Sequence, residues 1–316
     1  MAKDKNNSCG FRTSIGGQAL LEGILMRGPT KQAIVVRTKE GLVTKLSEPH
    51  FLREKYKILG WPILRGVITF GESMYHGVKA LTYSAELLPE EDQEEPGKLD
   101  KWIEEKFGME KAEKFLIGFA VFLGICLSVG LFILLPTLLA SFVTNLTDSA
   151  LWRNLTEGAI RIIIFLLYMY FCTRVKDLKQ VFRYHGAEHK TIFCYEKGLE
   201  LTVENVREQS RFHPRCGTSF LFVVMIISIL VFSVVSWSNV WLRMLFRLLL
   251  LPVVVGVSYE FNRWAGRHDN FLTRILTAPG RALQRLTTAE PDDGMIEVGI
   301  EALRLVIPEK EGLDSW

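Results

Sequence analysis

The sequence predicts a mainly α membrane protein with about four transmembrane helices, a small α+β cytoplasmic N-terminal region and interfacial amphipathic helices. Two observations lead there. The 316-residue chain is 48% hydrophobic and 23% charged, so its positive mean hydropathy requires the apolar residues to be gathered into runs. The run from Phe115 to Asn145 contains no charged residue, and roughly 20 apolar residues already cross a bilayer.

Three more runs complete the set. Gly158 to Thr173 carries Arg161 near one end, where it can pair with Glu157 or snorkel. Gly217 to Val235 follows, and then about Asn239 to Tyr259, with Arg243 and Arg247 near its start. These two arginines are read as snorkelling to the outer headgroups; the alternative is a polar cavity shared with Arg161. Orientation comes from the cations. The segment between the second and third runs carries Arg174, Lys176, Lys179, Arg183, Lys190, Lys197, Arg207, Arg211 and Arg215, whereas the first hairpin loop carries only Arg153. The positive-inside rule places that segment, and with four spans both termini, in the cytoplasm.

The polar start Met1 to Gly10 lacks the apolar core of a signal peptide. Five cysteines without a Cys-x-x-Cys pair argue against a disulfide framework, Cys9, Cys194 and Cys216 facing a reducing compartment. A net charge of +3 without a basic patch of interleaved aromatics argues against a nucleic-acid partner. The expected partners are the lipid bilayer and a membrane protein. Asn-Leu-Thr sequons at Asn145 and Asn154 would matter only in a eukaryotic secretory pathway.

In chain order, residues 1–88 form the cytoplasmic α+β region. The stretch Ser14 to Pro29 is rich in glycine around Glu22 and Arg27, which suits a tightly packed turn and strand or a binding loop. Ala33–Val36 and Leu42–Leu46 flank a hairpin turn. Ile63 to Leu87 is apolar at helical spacing, with a lone, structural His76. Residues 89–114 are an acidic linker, Pro89 to Pro96, and a juxtamembrane helix, Lys98 to Lys114. Residues 115–259 hold the four spans and a cytoplasmic loop, 174–216. Residues 260–316 are an interfacial tail. There Phe271 to Leu286 lies on the membrane with its periodicity broken at Pro279-Gly280, and Asp292 to Ile307 is a closing helix.

The chemistry concentrates in Tyr184-His185-Gly186-Ala187-Glu188-His189-Lys190. On a helix, His185, Glu188 and His189 fall at i, i+3 and i+4 and share one face. His-x-x-Glu-His is also the inverted zincin pattern, in which the histidines bind zinc and the glutamate deprotonates water. About two dozen residues later, His213-Pro214-Arg215-Cys216 adds an imidazole and a thiol whose ionisation Arg215 would favour. Glu260 follows the fourth span. All three points are tethered to one membrane surface, and tetrahedral zinc accepts such donors. The expected site is therefore a divalent metal, zinc foremost, held by His185, His189, Cys216, His213 and Glu260, with Glu188 as general base. Glu22, Arg27, Arg215, Arg263 and His268 are further polar candidates. The bland alternative makes His213-Pro214 a span-capping turn and pairs Glu260 with Arg263.

Four motifs, GGQALLEGILMRGP, YHGAEHK, HPRCGTSF and EFNRWAGRH, occur in this order around the spans. On them the chain resembles the YqhQ family of bacterial membrane proteins over nearly its whole length. That family carries the label of a domain of unknown function or predicted metal-dependent enzyme. The resemblance implies a multi-pass protein of the bacterial inner membrane and carries no substrate.

Two functional readings follow. One is a metal-dependent membrane enzyme, hydrolytic in kind, with its site at the cytoplasmic surface. The other is a non-catalytic protein whose His/Cys/Glu cluster braces the helices and supports a membrane assembly partner; four closed protein donors would favour it. The orientation is open to test. A cysteine placed at Lys197 should resist labelling from outside the cell and one at Ser149 should react, and the reverse pattern would overturn the topology.

Overall fold

A computed structural model describes residues 11–49, 51–88, 109–144, 150–234, 239–268, 270–310 and 312–315. The acidic linker Pro89 to Pro96, the juxtamembrane segment from Lys98 to residue 108, Cys9, Asn145 and Ser149 lie outside them. The chain forms two compact units: residues 1–88, 169–224 and 252–316 make the first, and residues 89–168 and 225–251 the second.

The first unit begins with an antiparallel meander, β1 (Gly16–Leu20), β2 (Gly23–Arg27), β3 (Gln32–Thr38) and β4 (Gly41–Ser47), in the order β1-β2-β3-β4. The predicted hairpin is β3 and β4, with Val36 opposite Val43. The glycine-rich stretch supplies β1 and β2, joined by the tight turn Leu21-Glu22. Glu22 sits there at φ 51, a left-handed conformation that few non-glycine residues adopt. Its carboxylate is held by Tyr184 Oη at 3.0 Å and Gln180 Nε2 at 2.8 Å.

Helices cover the sheet. After the short α1 (Leu52–Lys55), the predicted helix is observed as α2 (Leu64–Glu86), but its buried residues are the small Gly66, Gly77, Ala80 and Ser84, and the apolar Met74, Val78 and Leu81 are exposed. Helix α6 (Lys176–Glu196) lies on β1, and the closing helix α11 (Asp293–Arg304) lies on β2, β3 and α6. Asp292 caps α11 by accepting from the Met295 N–H. Ile24, Met26 and Val35 from the sheet meet Tyr184 and Ala187 of α6 and Val298, Ala302 and Leu303 of α11 in one buried core. The approach is close enough to select glycine. A Cβ on Gly186 would stand 2.0 Å from the Ala289 carbonyl oxygen, so glycine holds this helical position despite costing about 1 kcal/mol relative to alanine.

Between these lie α7 (Val203–Arg207), α8 (Gly217–Val234), α9 (Val240–Arg267) and α10 (Phe271–Thr287). The break expected at Pro279-Gly280 does not occur: α10 runs through both residues. Gly280 is needed there for packing, since a Cβ would come within 2.9 Å of Ser219 Cα on α8. Asn270 and Thr273 start α10 with a reciprocal capping box.

The second unit is built from apolar helix. The first predicted span is observed as α3 (Met109–Val129), a π-turn (Gly130–Leu134) and α4 (Leu135–Thr144), followed by α5 (Ala150–Cys172). Helices α5, α8 and α9 contribute to both units. Among the described residues three helices, Phe115–Phe142, Asn154–Cys172 and Trp241–Arg267, are long and apolar enough to cross a membrane, and Gly217–Ser233 is a shorter apolar one. Phe119, Phe122, Leu127 and Phe142 are more than half exposed. Water would penalise such a surface and hydrocarbon does not, which makes this a multi-pass membrane protein.

Inside this unit Arg247 corrects the snorkelling expectation, in favour of the polar cluster shared with Arg161. Arg247 is buried and both guanidinium nitrogens reach the Glu157 carboxylate, with Thr137 beside them. Arg161 Nη2 binds the same carboxylate at 3.1 Å and its Nη1 reaches Ser228 Oγ at 3.1 Å. A buried carboxylate from a neighbouring helix outcompetes the headgroups, because leaving Glu157 unpaired in hydrocarbon would cost several kcal/mol, roughly 3–5 by analogy with buried pairs.

The glycine packing yields a direct test. Gly186→Ala should lower stability by about 1–3 kcal/mol or more through overpacking against a backbone carbonyl. Gly16→Ala, whose Cβ would meet nothing within 4 Å, should be neutral. Equal thermal midpoints for the two variants in detergent would refute the close approach of α6 to Ala289.

Candidate metal centre

The three-residue spacing and the helix do what the sequence implied: His185, Glu188 and His189 all lie on α6 and line one cavity. Cys216, the residue before α8, meets them. The donor atoms of His185, His189 and Cys216 lie within 4.8 Å of one another, the one such group among the described residues. His185 Nε2 is 3.2 Å from Cys216 Sγ, and the two imidazole centroids are 4.3 Å apart. His189 and Cys216 are buried.

The outer hydrogen bonds orient the rings. His185 Nδ1 is 2.8 Å from the Thr287 carbonyl oxygen, and His189 Nδ1 faces that of Arg211. A carbonyl only accepts, so each Nδ1 carries its proton and donates. Nε2 is then the nitrogen of His185 that faces Cys216: it carries a proton while the ring is an imidazolium, and loss of that proton leaves the tautomer and support that metal-binding histidines have. Two imidazoles and a thiol in this arrangement could hold a metal ion.

Charge reinforces the geometry. Burial opposes ionisation of Cys216, but His185 and His189 beside it hold the thiol well below its ordinary range. Thr218 adds its N–H at 3.4 Å and its hydroxyl at 3.1 Å. Burial likewise opposes a charge on His185, yet the Cys216 sulfur and its hydrogen bond raise the imidazole to about 9. The thiolate is thus favoured by the two histidines, not by Arg215 as the sequence suggested. Arg215 binds Glu196 and, at 3.1 Å, the Thr13 carbonyl.

Glu188 is buried and its Oε1 accepts the Gly17 N–H at 3.1 Å. Burial raises its pKa, while the two histidines and this N–H pull the other way. Gly17 has to be glycine here, since a Cβ would lie 2.7 Å from the Leu25 carbonyl and 3.0 Å from Glu188 Cδ. The cavity that these side chains face measures about 590 Å³ and has apolar wall residues such as Phe70, Ile192, Phe220 and Leu221.

The other sequence candidates fall elsewhere. His213 is close, its ring 5.6 Å from that of His189, but it lies outside the three-donor group. Its Nε2 faces Glu196 at 3.5 Å, and Gln284 clamps its backbone N–H and carbonyl at 2.8 and 2.7 Å. Glu260 is not brought to the group; both carboxylate oxygens accept from Arg65. The alternative reading, an anion paired with a nearby arginine, is the one observed, with Arg65 as the bonded partner and Arg263 adding a weaker attraction. His268 Nδ1 lies 2.8 Å from the Trp264 carbonyl at the end of α9. Glu22 braces the turn already described, and Arg27 ends β2, where burial lowers its pKa and Glu72 opposes that shift. Sequence reasoning missed Glu196, although it follows His189 by seven residues on the same helical face. It also missed the carbonyls of Thr287 and Arg211, which carry no side-chain signature.

Residues 61–309 match the family model described as "Protein of unknown function (DUF1385)". The chain is 34% identical over 300 residues to the "Uncharacterized protein YqhQ" of Bacillus subtilis (strain 168), covering 91% of this chain and 90% of that one. No solved structure matches it.

Metal uptake should be pH-dependent with a definite sign. In the ion-free centre the proton sits on His185, whose pKa is about 9, and an incoming ion must displace it. Affinity should therefore rise about tenfold per pH unit between pH 6 and 8 and level off above about 9. Chelator competition measures this, and a flat profile would exclude the imidazolium–thiolate pair. His189→Ala should lose the ion.

Proposed function

From the premise that the chain belongs to the DUF1385 family, and is homologous to YqhQ, we propose that it is a metal-dependent hydrolase of the bacterial inner membrane. Its site lies at the cytoplasmic surface. The observation that carries this reading is the donor count: three protein donors, His185, His189 and Cys216, face a cavity of about 590 Å³, and a site that leaves a position for water or substrate is the catalytic kind. Zinc is the ion the donor set favours.

When bound, such an ion supplies Lewis acidity and brings the pKa of water toward about 7. The chain supplies the rest. Thr287 and Arg211 fix the imidazoles through Nδ1, and Phe70 and Phe220 help to wall the cavity. Glu188 is anchored at Oε1 by Gly17, which leaves its second oxygen to take a proton from water and return it to the leaving group. Its raised pKa brings it nearer the range in which one carboxyl both accepts and donates. The cationic segment from Arg174 to Arg215 supports a cytoplasmic site, with both termini on that side.

A second reading rests on the 3.2 Å contact between His185 Nε2 and Cys216 Sγ. A thiolate beside an imidazolium is also the arrangement of a cysteine nucleophile. The two readings separate cleanly. A nucleophilic Cys216 keeps its activity through chelation, whereas the metal reading predicts loss on chelation, recovery with the ion, and alkylation of Cys216 only after chelation.

Glu188→Gln tests the general base. The variant should fold, insert and retain its ion, yet lose roughly 10²- to 10⁴-fold in rate and fail to complement a deletion strain. Complementation by an ion-loaded Glu188→Gln protein would end the general-base assignment and return the centre to a bracing role for a membrane partner.

A further inference from the structure

The cavity beside His185, His189 and Cys216 has a second character. One part of its wall carries these donors and Glu188; another part is apolar, with Phe70 and Met74 from α2, Met169 from α5, and Phe220 and Leu221 from α8. The rings of Phe70 and Phe220 lie 6.0 Å apart and join α2 to α8 along this wall. Met74 stands one turn beyond Phe70, and Leu221 directly follows Phe220. Both are exposed as well, at 51% and 42%. A side chain that lines a cavity and also meets the surroundings marks its mouth, so the cavity opens between α2 and α8. The outer face of α2 is apolar there too, with Val78 and Leu81 beside Met74, which suits a helix lying in a lipid interface.

The depth of this mouth follows from where the apolar helices stop. Met169 is three residues before the end of Asn154–Cys172, and Phe220 three residues after the start of Gly217–Ser233. Each therefore lies about 5 Å inside its apolar run, at the helical rise per residue. Cys216 falls just outside the second run and His185 beyond the first. The apolar wall is thus at the depth where hydrocarbon gives way to headgroups, with the three donors on the polar side of it. That boundary is where the acyl ester of a membrane lipid lies. Size favours the same occupant. One turn of α-helix, from its pitch and its diameter with side chains, fills roughly 400–600 Å³. A cavity of about 590 Å³ takes one such turn, so a membrane-spanning peptide would have to unwind, whereas an acyl chain enters as it is. An unwound peptide could add to β1, the edge strand, but the Gly17 N–H of that strand already bonds Glu188.

We propose that the substrate of this site is a membrane lipid whose acyl chain lies along the apolar wall and whose ester reaches the donors, an assignment that rests on the hydrolase reading and gives it a substrate class. In the step, water gives its hydroxyl to the acyl carbon and the bond from that carbon to the ester oxygen breaks. The proton that Glu188 takes from the water passes to the departing oxygen. The products are a fatty acid and the deacylated lipid, and water is the one co-reactant.

The test uses the full chain in detergent with a phosphatidylglycerol that carries a photoactivatable diazirine in one acyl chain, followed by mass spectrometry of labelled peptides and by fatty-acid release. Label should fall on α2 and α8 near Met74 and Leu221, and chelation should stop the release. Met74→Asn and Leu221→Asn should each lower labelling and release roughly fivefold, by placing an amide where the chain enters. Leu81→Asn, on α2 but outside the cavity, should not, and unchanged thermal midpoints report that the three variants are folded. Should one cavity variant misfold, the other, measured alone, decides the matter. Equal loss in Leu81→Asn would reduce the effect to general attraction to lipid and overturn the site. Chelator-sensitive cleavage of a soluble acetate ester, or of an apolar peptide of about 20 residues, without labelling of the cavity would keep the hydrolase and reject the lipid. Labelling of the cavity with no release when zinc, manganese or cobalt is supplied would instead remove the hydrolase reading, and the substrate assignment with it.

Discussion

Each imidazole on α6 donates from Nδ1 to a backbone carbonyl contributed by a different part of the chain, Thr287 for His185 and Arg211 for His189. This is the constraint on which the centre depends. A ring free to rotate would no longer keep Nε2 as the nitrogen that faces Cys216 and is freed when the imidazolium loses its proton. Both carbonyls lie in segments that leave helices or loops just where they pass α6, so the surrounding fold has to deliver them there. The glycines at 186 and 280 serve that end. One lets the Ala289 carbonyl approach the helix, the other lets α10 lie against α8, and between them the Thr287 to Ala289 segment is brought to the face that carries the histidines.

A second layer of polar contacts holds the loop that carries Cys216. Glu196 receives Arg215, His213 and the Thr13 N–H, and Gln284 closes on the backbone of His213. These are buried groups that satisfy one another, which the low-dielectric interior demands of any polar side chain it encloses. His213 is drawn into this network and so stays one step removed from the three donors. The same rule operates in the apolar unit, where the Glu157 carboxylate is shared by Arg161 and Arg247, so that each of these charges faces an opposite one. The His/Cys group, the loop brace and the intramembrane cluster are three solutions to one problem, the enclosure of charge.

How much of this was legible in the chain depends on the range of the interaction. Periodicity alone put His185, Glu188 and His189 on one face, because a helix repeats every 3.6 residues whatever surrounds it. Charge-free runs marked the apolar helices, because bilayer thickness sets their length. Cys216 was legible as a donor from its neighbourhood and chemistry. By contrast, Glu260 looked equivalent from its place after a span, and only the folded position of Arg65 shows it engaged elsewhere. Pro279-Gly280 looked like a break in the amphipathic period by local propensity, yet the helix runs through both, with Gly280 packed against Ser219.

The sequence by itself determined the helical apolar architecture, the N-terminal hairpin and the face that bears the centre, since each follows from local periodicity, turn chemistry or hydrophobic length. Only the tertiary structure decided which donors converge, which proton each histidine keeps, and that Arg247 turns inward to Glu157. Those outcomes rest on contacts between residues far apart in the chain, and on backbone carbonyls that every residue type shares. Distance in space, not residue identity, selects among them.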